Sequence, residues 1–194
     1  MQERFLLDTN AYFNFLKNTV FLDTDAKNNS YEAEIRRIKE GKCYISEISR
    51  LEIISVIGKY ARGTSGGKKK CNCVISESGE RCSNYCYTIS RKPMKRRLAN
   101  TWIRLLNETL NGRSPVITVS VLPFSPATLN TAQTIVQFAL IHNFGSLDAV
   151  IAATLLDIRM QEEFGNMCMI TSDKGLKACL NKCKLPYWDA LKKE

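Results

Sequence analysis

The chain has 194 residues, 44% apolar and 24% charged, values that exclude wholesale disorder and allow one full core with an insertion. No apolar stretch approaches the ~20 residues of a membrane-spanning helix, and Met1-Gln2-Glu3-Arg4-Phe5-Leu6-Leu7-Asp8 lacks a signal peptide's apolar region and cleavage site. A cytoplasmic protein is expected, whose eight cysteines point to metal binding or buried thiols before disulfides.

Residues 4–7 form a short apolar run that predicts a buried strand. Asn10 to Lys17 carries Ala11, Tyr12, Phe13, Phe15 and Leu16, as a helix packed on a sheet would. Residues 30–39 have the pattern of a short charged helix, and Cys43-Tyr44-Ile45 predicts a second strand. Ser46 is a good N-cap for a helix over about 47–60, with Ile48, Leu51, Ile54 and Ile57 as its apolar positions. At Gly63-Thr64-Ser65-Gly66-Gly67 the periodicity breaks, and an irregular stretch runs to Pro93. Residues 95–112 resume as a helix with Leu98, Trp102, Leu105, Leu106 and Leu110 on its apolar side.

Val116 to Val121 alternates like a strand. A helix follows from about Pro126 to His142, ending at Asn143-Phe144-Gly145 as its C-cap. Ser146 is expected to cap an Ala-rich helix to about Arg159. Strand 167–171, helix 174–183 and a short strand from Leu185 to Trp188 complete the chain. Strands alternating with helices imply a mainly parallel α/β sheet.

The net charge of +9 is unevenly placed. Between Arg62 and Arg97 ten Lys or Arg stand against Glu77 and Glu80, leaving +8 there and +1 everywhere else. Such a segment suggests a polyanionic partner, RNA or DNA; the plainer alternative is a solvated lysine-rich loop.

Asp8, Glu52, Asp148 and Asp173 each fall after a strand-like run or near a helix start, where α/β folds place their sites. Gathered there, four carboxylates repel one another unless hard cations neutralise them. Each also has a plainer reading. Asp8 and Asp173 suit helix caps, and Asp148 suits the positive end of its helix. Glu52 lies between Ile48 and Val56 on its helix, beside the inward face, so it needs a partner. Glu47 is explained by the helix dipole.

In order along the chain stand Leu6-Leu7-Asp8-Thr9-Asn10, Ile45-Ser46-Glu47-Ile48-Ser49-Arg50-Leu51-Glu52, Ser146-Leu147-Asp148-Ala149-Val150-Ile151-Ala152-Ala153 and Ile170-Thr171-Ser172-Asp173. This set resembles the PIN domain family, including the VapC-type toxin ribonucleases, over essentially the whole chain outside about 62–95. The resemblance implies a three-layer α/β/α sandwich around a mainly parallel sheet, and Mg²⁺- or Mn²⁺-dependent hydrolysis of phosphodiesters, usually in RNA. It makes Asp8, Glu52, Asp148 and Asp173 the catalytic metal ligands, with Asn10 and Thr171 as supporting polar residues. The stretch between the second and third acids is longer than in compact members, which leaves toxin subclass and substrate open. His142, the only histidine, falls at a predicted helix C-terminus and is read as structural.

Cys71, Cys73, Cys82 and Cys86 form two close pairs across a short loop, as a tetrahedral thiolate Zn²⁺ site requires. The alternative is a loop with reactive thiols. So polar an insertion buries no core alone, and a metal would supply its folding energy. Lys68, Lys69, Lys70, Arg91, Lys92, Lys95, Arg96 and Arg97 would then form an RNA clamp, with Tyr85 and Tyr87 as stacking surfaces. Cys43 and Cys168 are expected in the core. Cys179 and Cys183, one helical turn apart, are assigned to packing.

Residues 1–61 and 96–194 are therefore expected to form a PIN-like nuclease domain interrupted by a basic zinc module at 62–95. The expected function is a metal-dependent endoribonuclease, as toxin or RNA-processing enzyme. Its partners would be RNA and, for a toxin, an antitoxin protein; a homodimer is allowed for, a membrane is not. The rivals are an RNA-binding protein with an inactive PIN-like domain and a DNA-directed structure-specific nuclease.

Overall fold

The computed structural model describes residues 2–20, 38, 40–70, 78–83, 85–88, 90, 92–113, 118–142 and 144–189. Strand β1 (Arg4–Leu7) leads into helix α1 (Thr9–Val20), and β2 (Lys42–Ser46) into α2 (Glu47–Arg62). A ribbon of β3 (Gly67–Lys70) and β4 (Tyr85–Thr88) precedes α3 (Arg96–Leu110) and β5 (Val119–Leu122). Then come α4 (Pro126–Ile135), a 3-10 segment (Val136–Leu140), α5 (Ser146–Arg159), a second 3-10 turn (Glu162–Phe164), β6 (Cys168–Ile170), α6 (Lys174–Lys182) and β7 (Tyr187–Trp188). The helix expected at residues 30–39 lies outside the described residues apart from Ile38, which is buried in the core.

The central sheet has the order β5-β2-β1-β6-β7 with every pairing parallel. A parallel sheet is covered on both faces, so its strands read as unbroken apolar runs. Phe5, Leu6 and Leu7 are accordingly all buried. Phe5 and Leu7 point into one cluster with Tyr12, Phe13, Ile53, Ile57, Trp102 and Leu106, which α1, α2 and α3 contribute. Leu6 points into the other, with Ile135, Ile151, Leu155, Leu176 and Leu180 of α4, α5 and α6. The result is a three-layer sandwich, in which each buried Leu, Ile or Phe contributes about 1.5–3 kcal/mol.

Helix α2 starts as expected, with Ser46 Oγ accepting from the Ser49 amide at 3.1 Å. It ends at Gly63, whose φ of 73° is cheap only for glycine. Its inward face differs from the one expected. Ser49, Ile53 and Ile57 are buried, whereas Leu51 and Ile54 are 62% and 47% exposed. A helix turns about 100° per residue, so strict three-residue steps drift off any one face. Steps of four, from 49 to 53 to 57, stay closer to it.

Three further expectations are corrected. The stretch up to Pro93 holds an antiparallel ribbon, with Lys68 opposite Tyr87 and Lys70 opposite Tyr85. All of β3 is exposed, so no alternation of apolar and polar residues marked it. The helix expected to reach His142 stops at Ile135 and tightens into the 3-10 segment. The cap of α5 is Gly145, with Ser146 inside the helix. The strand begun at Val116 is described from Val119, residues 114–117 lying outside the description. Among the described residues no helix is long and apolar enough to cross a membrane.

Candidate metal-binding acidic site

The chain runs from β1 outward to β2 and β5, then returns to place β6 and β7 on the other side of β1. The gap at the carboxyl ends of β1 and β6 is therefore a topological switch point, where ligand crevices of α/β sheets form. Asp8 follows β1 there and Asp173 follows β6. The Asp8 amide donates to the Ile170 carbonyl at 3.1 Å, so the two strand ends are tied together.

Three aspartates sit at the starts of three helices, and each spends an oxygen on capping. The Ala11 amide donates to Asp8 Oδ1 at 2.5 Å, at the start of α1. The Gly145 amide donates to Asp148 Oδ2 at 2.8 Å, at the start of α5. The Leu176 amide donates to Asp173 Oδ1 at 2.8 Å, at the start of α6. The capping readings of Asp8 and Asp173 are thus correct, Asp148 caps its helix start as well, and capping does not exhaust these side chains. Among the described residues Asp148 Oδ1 and Asp173 Oδ2 have no hydrogen bond.

Asp8 is 3% exposed, and its other oxygen takes a short hydrogen bond from the hydroxyl of Thr171. Thr171 Oγ1 in turn accepts from the Asp173 amide at 3.1 Å. This buried hydroxyl therefore links the two aspartates. Burial drives the Asp8 carboxyl from 3.8 up to about 6; the charges of Asp173 and Asp148 add to this, against hydrogen bonds from Thr171 and Ala11. Burial also raises Asp148, with the Gly145 amide opposing and Asp173 adding. The three aspartates sense one another's charge across the switch point.

Glu52 is half-buried on α2, and Thr9 Oγ1 donates to its Oε2 at 2.5 Å. The partner that an inward carboxylate needs is thus a hydroxyl beside Asp8. Thr9 went unremarked in the sequence, although it stands between Asp8 and Asn10. Asn10 is exposed in the first turn of α1.

Asp189, just past β7, was also missed. It accepts from Ser172 Oγ at 2.6 Å and pairs with Lys177 Nζ. With the Thr171 amide donating to the Trp188 carbonyl at 3.1 Å, the end of β7 braces the 171–173 turn from behind. No local motif announces this residue, because its partners are 12 and 17 positions away.

Among the described residues no group of three or more His, Cys, Asp and Glu side chains is drawn closely enough to hold a metal ion. The donor chemistry nevertheless suits a hard divalent cation. The donors are all carboxylate oxygens, one is buried where its charge is costly without a neutralising partner, and two oxygens are unspent.

In the ribbon, Lys68 Nζ lies 3.9 Å from the centre of the half-exposed Tyr85 ring. Lys68, Lys69, Lys70, Lys92, Lys95, Arg96 and Arg97 are all exposed. Cys71, Cys73 and Arg91 lie outside the described residues, and Cys86 is described only by its backbone position opposite Lys69. Cys82 is a partly exposed free thiol. Cys43 and Cys179 are buried as expected, with burial pushing both thiols up to about 12.

The strand order, the parallel pairing and the helices on both faces define a PIN-like fold, a three-layer α/β/α sandwich with a small inserted ribbon. VapBC-1 from nontypeable Haemophilus influenzae has a solved structure that superposes with a TM-score of 0.53 at 15% identity, covering 97% of this chain and 99% of that chain. FitAcB from Neisseria gonorrhoeae gives 0.52 at 15% identity over 97% and 99%. No protein-family model and no curated protein matches the sequence.

Proposed function

We propose that this protein is a Mg²⁺- or Mn²⁺-dependent endoribonuclease of the PIN type, working as the toxin of a toxin–antitoxin pair. The reading is carried by one observation: three helix-capping aspartates stand near enough at the switch point to sense one another's charge, and two of them, Asp148 and Asp173, keep a carboxylate oxygen in reserve. The sequence resemblance to VapC-type toxins and the shared fold with VapBC-1 support the toxin assignment and an antitoxin partner. Asp8, Glu52, Asp148 and Asp173 would hold the cation, which when bound supplies positive charge for the phosphodiester and a water of lowered pKa. The chain's own part is placement. Thr171 fixes Asp8 against Asp173, Thr9 fixes Glu52 beside them, and Asp189 steadies the turn. The test is incubation with mixed structured and unstructured RNAs in Mn²⁺, Mg²⁺ or chelator; RNA left intact in both metals would overturn the reading.

Thr171→Val removes the linking hydroxyl at nearly constant volume. Residues that orient metal ligands are worth roughly 10–100-fold in metal affinity or activity. A Mn²⁺ titration by calorimetry is expected to show a loss of that size, and unchanged binding would return Thr171 to simple packing.

The insertion is assigned the RNA clamp and a thiolate Zn²⁺ site at Cys71, Cys73, Cys82 and Cys86. Elemental analysis after gentle purification is expected to find about one Zn²⁺ per chain, and a metal-free protein would rule the site out. Deleting residues 66–92 should weaken RNA binding and flatten its salt dependence. An unchanged salt slope would make the segment a solvated loop.

A further inference from the structure

We propose that the outer face of α3 is a second binding track, for the sugar–phosphate backbone of single-stranded RNA, continuous with the basic insertion; it rests on the nuclease reading and extends its substrate path. The inner face of α3 is spent, because Ala99, Trp102, Leu106 and Thr109 are buried. On the outer face a groove of about 420 Å³ is lined by Arg104, Arg113, Ile103, Glu108 and the three asparagines Asn100, Asn107 and Asn111. Residues 100, 104, 107 and 111 follow steps of four and three, which keeps them in one stripe along the helix.

The composition of the stripe identifies its occupant. Arginine forks grip phosphate oxygens in pairs, and asparagine amides serve phosphates and sugar hydroxyls, including the 2′-hydroxyl. Glu108 sits 3.8 Å from Arg104, but the Arg104 side chain is 69% exposed and solvent screens the pair. Ile103, 38% exposed, gives a ribose or base one apolar rest. A single such residue is too little apolar surface for a protein partner, whose interface core is apolar.

Continuity supports the same occupant. The Met94 amide donates to the Tyr60 carbonyl, which also accepts from Gly63. Both ends of the insertion are thereby clasped at one point, and the chain leaves it directly into Lys95, Arg96 and Arg97 at the start of α3. A strand held by the insertion therefore meets the α3 stripe next, along a helix about 22 Å long.

The experiment uses the full chain carrying Asp8→Asn, so that bound RNA is not cut. Anisotropy of a labelled, unstructured RNA 20-mer is followed across a potassium chloride series. Adding Arg104→Ala and Arg113→Ala should lower the slope of log affinity against log salt by about 1.4, at about 0.7 per phosphate contact. The control pair Lys182→Ala and Lys184→Ala removes the same charge from the end of α6 and the turn after it, in the opposite layer, and should leave the slope unchanged. An equal change in both pairs, or none in the Arg104 and Arg113 pair, overturns the track. The matching DNA 20-mer should bind more weakly, and equal binding overturns the RNA assignment. Cleavage by the wild type decides the nuclease reading separately, because the binding series does not depend on it.

Discussion

Asp8→Asn is expected to abolish metal-dependent RNA cleavage and, in chelator, to make the protein more stable at pH 7. Burial and two neighbouring carboxylates hold the Asp8 carboxyl at about 6 instead of 3.8. Ionising it in the cation-free fold therefore costs about 3 kcal/mol at pH 7. Because the folded value is raised, the contribution of Asp8 is fully present below about pH 4 and is lost as pH climbs through about 6. The amide removes the charge, keeps an acceptor for the Ala11 amide and offers a donor to Thr171 Oγ1. In a chain of this size the gain corresponds to a Tm roughly 6–12 °C higher at pH 7, shrinking to nothing near pH 4. Thermal unfolding of both proteins in chelator at the two pH values measures it. A substitution that destabilises equally at both values would mean that Asp8 is a cap and no more. Mg²⁺ or Mn²⁺ should stabilise the wild type at pH 7 and leave Asp8→Asn much less affected.

Trp102→Ala should be the most damaging single change to the fold itself. Its ring lies 4.7 Å from that of Phe13 and 6.4 Å from that of Tyr60, centre to centre. This trio joins α1, α2 and α3 over one face of the sheet. Removing a buried indole costs about 3–5 kcal/mol, or a Tm lower by roughly 10 °C. Urea unfolding should show an earlier midpoint at an unchanged slope. Tyr60 also carries the carbonyl that clasps both ends of the insertion. Salt-dependent RNA binding should therefore suffer before cleavage of short substrates does. A loss under about 1 kcal/mol would show that α3 is seated by Leu106 and Ala99 without the aromatic trio.

The strands were legible because parallel strands buried on both faces must be apolar throughout, and Phe5-Leu6-Leu7 and Met169-Ile170 are. Two helix starts were legible because capping is local: Ser46 and Asp173 each act within three residues. Glu52 was marked by chemistry, since a carboxylate beside an inward face needs a partner. Its partner was not, because Thr9 is 43 positions away. The inward face of α2 was misassigned because its true core positions include Ser49, which hydropathy cannot flag. The ribbon was invisible because alternation appears only where one face is buried, and all of β3 is exposed.

By itself, then, the sequence determined what local chemistry and periodicity determine: an alternating α/β chain, three aspartates at element junctions with Glu52 on a helix beside them, and one strongly basic segment. Only the tertiary structure decided what those acids amount to. Strand order creates the switch point beside β1, and the pairing of β1 with β6 brings Thr171 to Asp8 from 163 positions away. Burial at that junction then raises the Asp8 carboxyl. None of this is a property of any short stretch of chain, because the charge repulsion, desolvation and hydrogen bonds involved act through space between elements that meet only on folding.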